Sequence, residues 1–142
     1  HPHQSEMFIS KTEGGIYQGS GASSSLLKPK KHLTEHPHIS FDNTELVTVE
    51  CLDTVMEQNN LNTSEYNFLN IDVQGYELEV LKGAVKTLEN IDAMILEINR
   101  DEMYEGCPMV EDIDSFLKDH NIVRAVTYWQ SESWGDGVYV RT

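Results

Sequence analysis

The chain has 142 residues, 39% of them hydrophobic and 8% aromatic, which suits one domain with a core and argues against wholesale disorder. Its formal net charge of −14 argues against a nucleic-acid partner, which would need a basic stripe. Two cysteines, Cys51 and Cys107, make no CxxC pair and no disulfide framework, and no apolar run has transmembrane length. A reducing, cytoplasmic setting without membrane contact is expected.

Residues 1–6 are polar and are expected to form a mobile end, with a single domain over 7–142. "MFIS" (7–10) reads as a short strand. "EGGIYQGSGASSS" (13–25) holds four glycines and four serines and reads as a loop, because these residues supply turns and bury little. "KPKKHLTEHPHISFDN" (28–43) has two prolines and three histidines and shows no regular pattern. Its lysines, Lys28, Lys30 and Lys31, form either a solvated loop or an anion site. The spacing of His32, His36 and His38 suits polar loop contacts better than a zinc site, which needs close pairs and further ligands.

"ELVTVE" (45–50) alternates and predicts a strand, and "LDTVMEQNN" (52–60) carries Leu52, Val55 and Met56 at helical spacing. "YNFLNIDV" (66–73) is a strand whose apolar residues do not strictly alternate, as when both faces are covered. The next stretch, "YELEVLKGAVKTLEN" (76–90), places Leu78, Leu81, Val85 and Leu88 on one helix face, with Gly83 as a weak point. "DAMILEIN" (92–99) is another strand. Pro108 can open the helix "MVEDIDSFLKDH", with Val110, Ile113, Phe116 and Leu117 on its buried face. "IVRAVTYWQ" (122–130) and "DGVYVRT" (136–142) read as an antiparallel hairpin around "SESWG". From residue 45 onward the order is β-α-β-α-β-α-β-β, which predicts an α/β fold with helices on a mostly parallel sheet and an antiparallel terminal hairpin.

Open α/β sheets bind ligands beyond the carboxyl ends of their strands. Asp72 and Glu97 stand near the ends of consecutive strands, so their carboxylates can meet if the strands are neighbours. Paired carboxylates can share a proton, hold a divalent cation, or divide acid and base roles. Equally, each can cap a helix or bind a loop N–H. Gln74 offers a donor and an acceptor, and Gly75 permits a tight turn. Glu77 falls in a first helical turn, where an acid favours the helix dipole. Trp134 can wall a substrate cleft or cap the core beside the hairpin.

"FLNIDVQGYELEVLKGA" resembles the core signature of the FkbM-type methyltransferases. "SSSLLKP", "HPHI", "VTVECLDTVM", "AMILEIN", "YEGCPMVEDIDSFL" and "WGDGVYVR" resemble further pieces of that family in its order, from about Met7 to Arg141. The resemblance implies a Rossmann-like methyltransferase sheet and S-adenosylmethionine as methyl donor. It implies methyl transfer to a hydroxyl of a sugar or secondary metabolite. On that basis Asp72, at the end of the fourth strand, would position or deprotonate the acceptor, with Glu97 as its acidic partner and with a divalent metal as an option for the pair. Asp72 and Gln74 would face the cofactor. Ser23, Ser24, Ser25, His38, Trp134 and Asp136 would line the acceptor side.

The family's first strand, glycine-rich turn and ribose-binding acid do not precede residue 7, and "EGGIYQGSG" does not replace them. The chain therefore reads as the C-terminal portion of such a domain. A sheet ending at that strand leaves an edge and apolar faces that favour a homo-oligomer or a partner. A catalytically inactive binding or assembly module derived from a methyltransferase is the competing reading.

Overall fold

A computed structural model describes residues 2–15 and 18–142. Strand β1 (His3–Thr12) and strand β2 (Ile39–Val49) form a two-stranded antiparallel ribbon. A four-residue helical turn, α1 (His32–Glu35), leads into β2. Helix α2 (Leu52–Gln58) and a 3-10 turn (Thr63–Glu65) then lead to strand β3 (Phe68–Ile71). Helices α3 (Glu77–Lys82) and α4 (Val85–Leu88), strand β4 (Ala93–Asn99), helix α5 (Val110–Lys118) and strands β5 (Ile122–Trp129) and β6 (Trp134–Arg141) complete the chain.

The second sheet has the order β3-β4-β6-β5. Only β3 and β4 are parallel; β6 runs antiparallel to both β4 and β5. The chain is thus a mixed α/β protein, and the expectation of a mostly parallel sheet is corrected. Each expected strand position holds a strand, but β2 does not join this sheet. It pairs instead with β1, which extends well beyond the four residues expected. His3–Glu6, expected as a mobile end, lie in register with Val49–Leu46. Residues 39–43, expected to be irregular, are strand because β1 supplies their hydrogen-bond partners.

The core lies on one face of the four-stranded sheet. Ile71, Met94, Leu96, Ile98, Ile122 and Tyr139 meet Leu81, Leu88, Val110, Ile113 and Leu117 from α3, α4 and α5. The i, i+3, i+7 spacing in α5 sets Val110, Ile113 and Leu117 against the sheet, as the period requires. Pro108 lies before that helix and not inside it. Met109 is the cap, because the Asp112 carboxylate turns back to accept its N–H at 2.8 Å.

The helix expected over 76–90 is broken at Gly83–Ala84. A distant residue explains the break. The N–H of Asp53 donates to the Gly83 carbonyl at 3.0 Å. The Asp53 carboxylate accepts the N–H groups of Lys86 and Thr87 at 2.8 and 2.9 Å and the Thr87 hydroxyl at 2.7 Å. It caps α4 from outside the helix and satisfies donors left open by the break.

Candidate functional site

Strand β3 ends at Ile71, and the chain turns sharply through Asp72-Val73-Gln74-Gly75 before α3 begins. Gln74 (φ 52°) and Gly75 (φ 94°) are consecutive left-handed residues. Glycine is needed at 75 for a second reason. A Cβ there would lie 3.2 Å from the Cβ atoms of Cys107 and Tyr104 and 3.3 Å from Leu27. Gln74 costs roughly 1 kcal/mol in that conformation, and several bonds hold it. The Ser25 hydroxyl donates to its carbonyl at 2.6 Å. The Tyr104 hydroxyl lies 2.9 Å from both Gln74 Oε1 and the Ser23 carbonyl and donates its one proton between them. Gln74 Nε2 in turn donates to Asp72 Oδ1 at 2.5 Å.

Asp72 and Gln74 line a cleft of about 610 Å³ between the ribbon and the α2–α3 side of the core. Leu26, Val49, Leu52, Val55 and Val80 supply apolar walls. Glu50, Asp72 and Glu79 supply acids, and the described lining contains no lysine or arginine. Its chemistry suits a cationic or hydroxyl-bearing guest and disfavours an anion.

Glu97 is not on the cleft wall. It lies on the sheet face opposite the core, paired in register with Asp136. Burial, followed by the charges of Asp72 and Glu77, pushes the Glu97 carboxyl up to about 9, so it is a neutral hydrogen-bond donor at pH 7. The parallel β3–β4 pairing makes the two strands neighbours, and after burial the Asp72 charge helps to raise the Glu97 carboxyl. A neutral acid near a second carboxyl is an arrangement known in acid–base sites. Among the described residues no three His, Cys, Asp or Glu side chains converge as a metal site.

The remaining expected site residues separate into groups. Ser24 lines the cleft and accepts the Ser10 N–H at 3.0 Å. Ser25 is fully buried, and its hydroxyl supports the Gln74 turn; Ser23 contributes its carbonyl to Tyr104. Trp134 is half-buried against Met103, Tyr104 and Cys107, with its ring 6.4 Å from His36. His38 is exposed, 6.0 Å from the His36 ring. Asp136 accepts from Gln130 Nε2 at 2.9 Å. His32 is buried, and burial lowers its imidazole to about 4. Lys30 and Lys31 are engaged by Glu102 and Asp101, so neither is a free anion ligand.

Two residues carry more than their sequence positions suggested. Tyr104 lies 30 residues from Gln74, beyond the reach of any local pattern. Glu77, read as a helix-dipole acid, is only 1% exposed and bonds back to the turn before it. Its place two residues after Gly75 was the available signal.

An 84-residue stretch is 32% identical to the 2-O-methyltransferase NoeI of Sinorhizobium fredii, covering 59% of this chain and 34% of that protein. The chain thus spans about a third of the length of the curated relative it matches. No solved structure matches. Residues 5–123 match the methyltransferase FkbM domain, and the chain belongs to that family.

Proposed function

We propose that this chain serves S-adenosylmethionine-dependent O-methylation of a sugar or secondary-metabolite hydroxyl. The observation that carries the reading is the braced Asp72–Gln74 turn, which opens at the carboxyl end of β3 onto an apolar, acid-lined cleft. Family membership and the 2-O-methyltransferase relative support methyl transfer to oxygen. The parallel β3–β4 pair followed by the antiparallel β5–β6 hairpin suits the C-terminal portion of a Rossmann-like methyltransferase sheet.

S-adenosylmethionine would supply a methyl group on a sulfonium cation, and a wall with carboxylates and without lysine or arginine fits that charge. Asp72 and Gln74 are the residues that would face it. Methyl transfer depends chiefly on alignment of acceptor oxygen and methyl carbon, with a smaller contribution from a base. Asp72 would orient the hydroxyl and take its proton. Glu97, neutral at pH 7, would hold Asp72 in place as a hydrogen-bond donor.

The test is methyl transfer from labelled S-adenosylmethionine to sugar acceptors by the wild-type chain and by Asp72→Asn. The expected loss is about 100-fold or more in kcat, the scale of a removed general base, with an unchanged circular dichroism spectrum. Full activity in the variant rejects the role of Asp72. Calorimetry bears on the competing reading: micromolar binding of S-adenosylmethionine supports the enzyme, and no binding counts against catalysis by this chain alone.

A further inference from the structure

Beyond Asp72 and Glu97, a third carboxyl is built into the same turn and has no part in the chemistry above. Glu77 opens α3 and is buried. Its Oε1 accepts the N–H of Val73 at 3.1 Å and the N–H of Gly75 at 3.3 Å. These two amides flank Gln74, the non-glycine residue of the turn in the left-handed region. One carboxylate oxygen therefore clamps both sides of the strained residue. From there the connection runs through the Gln74 side chain to Asp72 Oδ1 at 2.5 Å. The second oxygen, Oε2, is buried and has no partner among the described residues. An unpaired buried acceptor is costly, so a side chain needed only to begin a helix would not be expected there. The helix dipole would be served as well by an exposed acid.

We propose that Glu77 is a positioning residue that fixes the orientation of Asp72 by clamping the Val73 and Gly75 amides on either side of Gln74. The proposal rests on the reading of Asp72 as the residue that handles the acceptor. Ser25 and Tyr104 also hold Gln74, so removal of Glu77 should loosen the turn without unfolding the core.

The experiment is amide hydrogen exchange by NMR on the full chain, comparing wild type, Glu77→Gln and Glu77→Leu. Glutamine keeps an acceptor oxygen, so E77Q should retain protection at Val73 and Gly75 within a few-fold. E77L should lose about tenfold or more at those two amides, the equivalent of one hydrogen bond, while Leu96 and Ile113 keep theirs. The Gln74 side-chain amide resonance should shift in E77L and not in E77Q. In the methyl-transfer assay, E77L should lower kcat at least tenfold, and E77Q should restore it. Unchanged exchange at Val73 and Gly75 in E77L overturns the clamp. Lost protection with undiminished kcat, in a protein where Asp72→Asn is impaired, overturns the positioning role. Retained activity in Asp72→Asn overturns the reading of Asp72 instead, and the exchange data still decide the clamp. If E77L does not fold, Glu77→Asp takes its place. Its shorter carboxylate cannot reach both amides, and equal protection of both would again overturn the clamp.

Discussion

Asp72 is exposed and would mean little alone; its orientation comes from Gln74, whose amide is fixed by Tyr104 and whose carbonyl is fixed by Ser25. The acid, the amide and the glycine were legible in "DVQG", because a strand that stops in a polar residue and a glycine announces a turn. The bracing was not legible, since Ser25 and Tyr104 come from 49 and 30 residues away. Glu97 makes a prediction at this scale. Its folded-state value is about 9, above an ordinary glutamate value of 4.5. A group raised in this way contributes stability that is fully present below pH 4.5 and is lost as pH rises through about 9. Between pH 7 and 9 the slope from one such group is at most about 1.4 kcal/mol per pH unit. Chemical denaturation of the wild type should therefore show falling stability from pH 7 to 9. Glu97→Gln should flatten that fall, and parallel profiles would contradict the assignment. His32 acts in a different window. Its value is lowered to about 4, so it destabilises the fold as pH falls below 6.5.

At the scale of elements, the instructive case is the divided helix. The apolar spacing of Leu78, Leu81, Val85 and Leu88 describes one continuous face, yet Asp53 captures the amides at 86 and 87 and makes two short helices. Periodicity records which residues face the core and carries no information about a cap supplied from another helix. Asp53→Ala should cost about 1–2 kcal/mol, as for loss of a helix cap. Asp53→Asn should cost less, because its amide oxygen can still accept. Urea denaturation midpoints would check both, and an unchanged midpoint in Asp53→Ala would show that the cap carries no stability. The ribbon is a similar case. Alternation marked 45–50 as strand, but the pairing of β2 with β1 could not be read from either segment separately.

At the scale of the molecule, α3, α4 and α5 pack one face of the four-stranded sheet. The opposite face is covered around Trp134 and exposed toward Phe68 and Val126, and in-register rows cross it. Asn70, Ile95, Val138 and Val126 form one row, and Ala93, Val140 and Val123 lie beside it with Phe68. Phe68 is 51% exposed and Val126 59%. A third row, Glu97, Asp136 and Tyr128, turns acidic toward the candidate site. Apolar sheet faces of this kind are normally covered. Self-association through this face or the β3 edge is therefore expected. Light scattering after gel filtration should show species larger than a monomer at micromolar concentration, and Phe68→Lys with Val126→Lys should return the monomer. A clean wild-type monomer at micromolar concentration would remove the proposal. Among the described helices none is long and apolar enough to cross a membrane.

The sequence by itself determined most elements from β3 onward, the acid-and-glycine turn at 72–75 and the family. Those features are written in short-range periods and in consecutive residues, which act locally on the backbone. Tertiary structure alone decided the placement of β6 between β4 and β5, the separate ribbon, the divided helix and the burial of Glu77. Each depends on which distant groups supply hydrogen-bond partners or exclude water, and local residue spacing cannot specify that choice.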